Sequence, residues 1–195
     1  MSKSVLYMSM SLDGFIAGPG DDADHGLGVD GERLHDWLGE WSDGRPSGFH
    51  PAGASAAVFE EAMATGAVLV GRRTFDYAGH WGGDHHGVPI YVPTRGTPPA
   101  PQSDWVHYVT DGIESAMARA KAAAGDADVL VHGADLAQSC LRAGLLDELP
   151  IHLVPVLLGE GRRLFEHLGA DHIELDPVRV VEAPGVTHLR YRVAS

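Results

Sequence analysis

The chain has 195 residues, 44% of them apolar and 21% charged, a composition that suits one soluble domain with a full core. Its net charge of −13, from 14 cations against 27 acids, argues against nucleic acid as a main partner, because phosphate backbones demand clustered cations. No apolar run reaches the ~18 residues of a membrane span, the opening Met1-Ser2-Lys3-Ser4 does not read as a signal peptide, and the single cysteine, Cys140, excludes an internal disulfide and points to a reducing cytoplasm.

Ser4 to Ser11 is apolar enough for a buried first strand, and a glycine- and aspartate-rich loop follows from Leu12 to Asp30. A short helix is expected around Glu32 to Leu38, then a variable surface loop from Gly39 to Gly53, where turn formers show no periodicity. Ala54 to Thr65 reads as a helix with Val58, Phe59, Ala62 and Met63 on one face. Ala67 to Val70, apolar on both faces of its pleat, reads as a buried strand. Gly71 permits a sharp turn, and Thr74 is placed to cap a helix opened by Phe75. Val88 to Val92 is a strand broken by the run Pro93 to Pro99. Trp105 to Thr110 is another, and Asp111 to Glu114 has capping-box spacing for a helix to Ala124. Asp128 to Val131 is a strand, Leu136 to Ala143 a helix stopped by Gly144, and Leu149 to Val154 a strand. The chain ends in a hairpin with arms Val178 to Val181 and Val186 to Val193 around Pro184-Gly185. Alternating strands and helices imply a mainly parallel sheet with helices on both faces and antiparallel edge strands, in one domain over residues 1–195.

Two junctions carry the chemistry. At Gly71-Arg72-Arg73-Thr74, free N–H groups, a positive helix end and two guanidinium forks converge on one spot, as a phosphate requires; a merely solvated surface turn is the alternative. Val129-Leu130-Val131-His132-Gly133-Ala134-Asp135-Leu136 repeats the order of strand, glycine turn and helix start. Two such junctions on neighbouring parallel strands can share one ligand at the carboxyl edge of a sheet. Thr94-Arg95 adds a hydroxyl and a guanidinium after a third strand, so the set suits an elongated, multi-phosphate ligand. A small residue at Gly133 also serves any strand-to-helix turn. Twelve of the 14 cations are arginine, so an anionic cofactor would be met by local arginines.

Other signals fail on context. Gly18 to Ala23 and Gly26 to Gly31 both match G-x-G-x-x-[GA], but neither joins a strand to a helix. A calcium loop starting at Asp22 breaks at Leu27 and Arg33. Asp84-His85-His86 lacks further ligands, and with no H-E-x-x-H or C-x-x-C no metal is expected. Cys140, between apolar residues, reads as packing.

Ser11-Leu12-Asp13-Gly14-Phe15-Ile16-Ala17, Gly71-Arg72-Arg73-Thr74-Phe75, Ala143-Gly144-Leu145-Leu146-Asp147-Glu148-Leu149 and Pro155-Val156-Leu157-Leu158-Gly159 occur in this order. Together they resemble the dihydrofolate-reductase-like superfamily, above all the reductase domain of the bacterial riboflavin-biosynthesis deaminase-reductase and its stand-alone relatives. The resemblance covers nearly the whole chain. It implies a three-layer α/β fold with a mixed, mainly parallel sheet, NADPH as hydride donor, a small-molecule substrate and a homodimer. It further implies that Ile16 and Ala17 lie beside the nicotinamide, and that Gly71, Arg72, Arg73 and Thr74 face the pyrophosphate and 2′-phosphate. Thr94 and Arg95 would flank the adenosine end, and Gly133, Ala134, Asp135 and Leu136 would form a second phosphate turn.

The chain departs from these relatives where substrate is concerned. Val131 stands where the riboflavin reductase carries a glutamate, two residues before the glycine that Gly133 matches. The zinc deaminase half is missing, since one cysteine cannot supply its ligands. Leu34 stands three residues before Trp37, where dihydrofolate reductase has an acid; Glu32 and Asp36 are approximate substitutes, and both also fit a solvated helix face. The expectation is an NADPH-dependent reductase acting on a small heterocyclic or carbonyl substrate, similar to dihydrofolate reductase or 5-amino-6-(5-phosphoribosylamino)uracil reductase, with Asp36 orienting a proton-donating water. The alternative is a dimeric nucleotide-binding sensor or scaffold with little turnover.

Overall fold

Ala67, Val68, Leu69 and Val70 are all fully buried, because alternate residues of this strand face opposite helical layers. The computed structural model that contains them describes residues 2–42, 45–169 and 172–194. Its first strands are β1 (Ser4–Leu6), β2 (Met8–Ser11), β3 (Phe15–Ala17), β4 (Ala67–Val70), β5 (Ile90–Pro93) and β6 (Val106–Val109). β7 (Val129–His132), β8 (Glu148–Val154), β9 (Arg162–Arg163), β10 (Leu175–Ala183) and β11 (Val186–Val193) follow. The α-helices are α1 (Ala54–Met63), α2 (Arg72–Tyr77), α3 (Ile113–Ala124) and α4 (Ala134–Arg142).

Among the described residues the main sheet has nine strands in the order β10-β11-β8-β1-β7-β4-β5-β6, with β2 also pairing β8. Strands from β8 to β6 are parallel, whereas β11 meets β8, and β10 meets β11, antiparallel. Ala67 and Leu69 pack in one core with Ala116, Met117 and Ala120 of α3 and Ala137, Cys140 and Leu141 of α4. Val68 and Val70 face the other way, toward Ala62 of α1 and Phe75 of α2. Each fully buried Val, Leu, Met or Phe side chain here contributes roughly 1.5–3 kcal/mol relative to exposure. The result is the expected three-layer arrangement: a mixed, mainly parallel sheet, helices on both faces and a C-terminal antiparallel hairpin. Cys140 is part of that core, and burial pushes its thiol up to about 12, in keeping with a packing role.

Several boundaries differ from expectation for identifiable reasons. The first strand divides at Tyr7, whose N–H still donates to Val131 while β2 moves onto β8. The expected 12–30 loop contains β3, which pairs antiparallel with the two-residue β9. The 32–38 helix is a 3-10 helix, Gly31–Leu38. Thr74 does not cap α2: Gly71 holds that position, Phe75 N–H donates to the Gly71 carbonyl at 3.0 Å, and Thr74 lies inside the first turn. Asp111 does not cap α3 either; Gly112 precedes the helix, and the Asp111 carboxylate accepts from Ser115 and Arg119. In the expected 39–53 loop Trp41 bridges to Phe49, with the rings stacked at 5.8 Å; Asp43 and Gly44 lie outside the described residues.

Candidate functional site

The carboxyl ends of β7, β4 and β5 are neighbours, which brings the three sequence junctions to one edge of the sheet. Gly71 N–H donates to the His132 carbonyl at 3.1 Å, so the turn into α2 and the turn into α4 lie side by side. Gly133 has φ +99°, and a Cβ there would stand 2.5 Å from Thr74 Oγ1. Only glycine therefore lets the two turns approach. Met8 Sδ accepts from Gly133 N–H at 3.3 Å, fixing the turn against β2. Leu136 is buried beneath it, and a Cβ on Gly71 would lie 3.4 Å from the Leu136 Cβ. Asp135 points outward, its side chain 72% exposed.

Arg72 and Arg73 diverge from adjacent positions on α2. Arg72 Nε donates to both carboxylate oxygens of Asp76 at 2.8 Å, and its guanidinium lies over the Tyr108 ring. Arg73 lies over the Tyr77 ring, 4.4 Å from its centroid, and donates to Asp21 of the loop after β3. Asp21 also accepts from Arg162 of β9. Sequence reasoning missed Arg162, although Gly161-Arg162-Arg163 repeats the glycine and double arginine of Gly71-Arg72-Arg73. Thr94 is buried, its hydroxyl donating to the Val92 carbonyl, and Arg95 is exposed beside it. Ile16 and Ala17 are buried at the end of β3, where a Cβ on Gly161 would lie 2.0 Å from the Ala17 carbonyl oxygen. The two G-x-G matches belong to one loop whose glycines allow backbone contacts within it; a Cβ on Gly18 would meet the Val29 carbonyl oxygen at 1.8 Å.

The acids near this edge are engaged. Asp36 lies on an open groove with Arg33, Glu32, Val29 and Leu157, and accepts from Arg33 at 2.9 Å. Asp13 shapes the turn after β2: Ser11 Oγ and the N–H groups of Leu158 and Gly159 donate to it and hold its carboxyl down at about 2. Leu34 and Val131, where the resemblance implies acids, are fully buried and apolar.

Behind the turns lies a set of buried rings that the sequence did not reveal. Tyr7 touches His152, with ring centroids 4.2 Å apart, and meets His132 edge-on at 6.0 Å. His152 Nδ1 and His188 Nδ1 are 2.8 Å apart, and His188 Nε2 lies 2.9 Å from Ser55 Oγ. Burial lowers all three imidazoles, His132 to about 3 and His188 to about 4. Among the described residues Tyr7 Oη, His132 Nε2 and His152 Nε2 are buried without a hydrogen-bond partner. Among the described residues no group of three or more His, Cys, Asp or Glu is arranged to hold a metal ion.

The chemistry of the donor set suits an anionic ligand: the Gly71 and Gly133 turns leave room for backbone to approach a diphosphate, and Arg72 and Arg73 follow the first of them on α2. Residues 3–189 match the family described as RibD C-terminal domain. The protein YwjB of Bacillus subtilis (strain 168), described as uncharacterized, is 29% identical over 177 residues, covering 85% of this chain and 84% of that protein. The solved structure of a putative riboflavin biosynthesis protein from Shewanella sp. PV-4 is 23% identical, covers 100% of both chains and has a TM-score of 0.73. Dihydrofolate reductase from Enterococcus faecalis, complexed with NADP(H), is 14% identical, with 100% of this chain and 97% of that chain covered and a TM-score of 0.61. The fold is dihydrofolate-reductase-like.

Proposed function

The chain belongs to the RibD C-terminal domain family of reductases, and from that premise we propose that it is an NADPH-dependent reductase of a small heterocyclic or carbonyl substrate. The observation that carries the reading is the pair of adjacent glycine turns, Gly71 and Gly133, joined through His132 and flanked by arginines. When bound, NADPH supplies the hydride for a polarised C=N or C=O carbon. Gly71, Arg72, Arg73 and Thr74 bind the pyrophosphate and 2′-phosphate, with Gly133, Ala134, Asp135 and Leu136 as the second turn. Thr94 and Arg95 flank the adenosine end, while Ile16 and Ala17 orient the nicotinamide. Guanidinium groups concentrated here offset the −13 background, each charge-assisted bond contributing roughly 1.5–3 kcal/mol. Asp36, on the open groove, orients the water that donates a proton. We assign the protein a homodimeric, cytoplasmic state on the same family premise.

The test is loss of nicotinamide absorbance from NADPH with a panel of pterin, pyrimidine and carbonyl substrates. Turnover of any panel member supports the reading, and tight NADPH binding without turnover across the panel replaces it with a nucleotide-binding sensor. That second reading is favoured by one observation: Leu34 and Val131, at the positions where the resemblance implies acids, are apolar core residues.

A further inference from the structure

The loop after β3 is folded on itself and tied down by one inward carboxylate. Gly18 N–H donates to Leu27 at 2.8 Å and Val29 N–H to Pro19 at 3.0 Å, which closes residues 18–29 into a loop. It rests on α2, where a Cβ on Gly26 would lie 2.4 Å from the Tyr77 carbonyl oxygen. Asp22 stays in solvent with 57% of its side chain exposed, whereas Asp21 turns inward and keeps only 14%. Arg73 Nε donates to Asp21 Oδ2 at 3.1 Å, and Arg73 Nη2 approaches Oδ1 at 3.0 Å and the Asp21 carbonyl oxygen at 3.1 Å. Arg162 Nε donates to the same Oδ2 at 3.2 Å, and Arg162 Nη1 lies 3.6 Å from Asp135 Oδ1.

Two guanidinium groups from different elements, one on α2 and one on β9, thus converge on a single oxyanion. Neither arginine is fixed by sequence proximity to Asp21, so the convergence is a property of the fold. A carboxylate offers two oxygens and one negative charge to this pair. A phosphate offers three acceptor oxygens and up to two charges, matching two guanidinium forks better. The position also suits a dinucleotide: Arg73 follows the Gly71 turn, and Arg162 follows Gly161, which is pressed against Ala17. Arg73 and Arg162 keep 37% and 26% of their side chains exposed, so an incoming oxyanion can reach both guanidinium groups.

We infer that Arg73 and Arg162 form a phosphate site in which Asp21 acts as a carboxylate surrogate, and that a ligand phosphate displaces Asp21 and releases the 18–29 loop. Its assignment to a dinucleotide phosphate rests on the NADPH reading above; the site itself does not. Asp21 is then a competitor for the ligand, and removing its charge tightens binding, the reverse of what a supporting residue does.

The test uses the full chain, Asp21→Asn and Arg162→Gln, titrated calorimetrically with NADPH and with inorganic pyrophosphate, together with amide exchange of wild-type residues 18–29 with and without pyrophosphate. Asp21→Asn should bind both ligands roughly tenfold tighter and Arg162→Gln roughly tenfold weaker, the scale of one charge-assisted hydrogen bond. Exchange in the wild-type loop should rise when pyrophosphate binds, a readout that needs no variant to fold. Unchanged or weaker pyrophosphate binding by Asp21→Asn overturns the proposal, as does loop exchange that stays flat on saturation. If no protein binds NADPH but Asp21→Asn tightens pyrophosphate, the site stands and the dinucleotide reading falls.

Discussion

A Cβ built on Gly133 would stand 2.5 Å from Oγ1 of Thr74, across the seam between the turns that end β4 and β7. Gly133 combines φ +99° with ψ 144°, a backbone region open in practice only to glycine. Gly133→Ala should therefore cost roughly 1–3 kcal/mol in backbone strain and displace Thr74 from the crevice. Urea denaturation and NADPH titration check the two effects separately. A variant with the wild-type midpoint and affinity would show that the seam tolerates a side chain.

Arg73→Ala should weaken NADPH more than NADH, since only NADPH carries the 2′-phosphate. One lost charge-assisted contact of about 1.5–3 kcal/mol corresponds to roughly a ten- to hundredfold change. Equal weakening of both dinucleotides would move Arg73 from the 2′-phosphate to the shared pyrophosphate.

The sequence revealed what is local and periodic. Val68 and Val70 against Ala67 and Leu69 announce a strand covered on both faces, and the glycines at 71 and 133 mark both turns of the crevice. What it hid depends on distant partners. β3 is three residues long and is defined by β9, about three quarters of the chain away. Asp21 reads as one more acid in a solvated loop until Arg73 and Arg162, from α2 and β9, both close on its Oδ2. Thr74 and Asp111 have the right chemistry for caps, yet Gly71 and Gly112 hold those positions, because the chain enters both helices by turns that place a glycine first. The imidazole cluster is invisible for the same reason: His132, His152 and His188 are each unremarkable in their strands and meet only through sheet order.

That cluster should set the acid limit of the fold. His152 and His188 face each other Nδ1 to Nδ1 at 2.8 Å, so one ring must donate and the other accept. Burial lowers His188 to about 4 and His132 to about 3, and holds His152 well below the ordinary 6.5. Below pH 6.5 the unfolded chain takes up protons that the folded chain refuses. The contribution of His188 is thus fully present above that pH and is lost progressively down to about 4, and that of His132 down to about 3, at about 1.4 kcal/mol per pH unit for each ring. The urea midpoint should drop steeply between about pH 6.5 and about pH 4, and His188→Gln should flatten the slope. A wild-type midpoint that stays level over that interval would exclude the cluster as the acid trigger.

Glu148 and Glu61 make a paired test of what burial adds to an ion network. Glu148 opens β8, the strand where the sheet turns from parallel to antiparallel pairing, and only 6% of its side chain is exposed. Burial opposes its charge, yet donors from Lys3 and Arg190 hold its carboxyl below the usual range. Glu61 of α1 serves Arg179 and Arg190 from a side chain 42% exposed. In Glu148→Ala, Lys3 can turn to solvent, but Arg190 stays mostly covered with one anchor fewer, so the loss should fall at about 1–3 kcal/mol, below the ~3–5 of a fully buried pair. In Glu61→Ala water replaces most of what is removed, and the loss should stay within about 1 kcal/mol. Chemical denaturation of the two variants ranks them directly. If Glu61→Ala proved the more damaging, the helix-to-hairpin contact through Arg179 would outweigh burial at the head of β8.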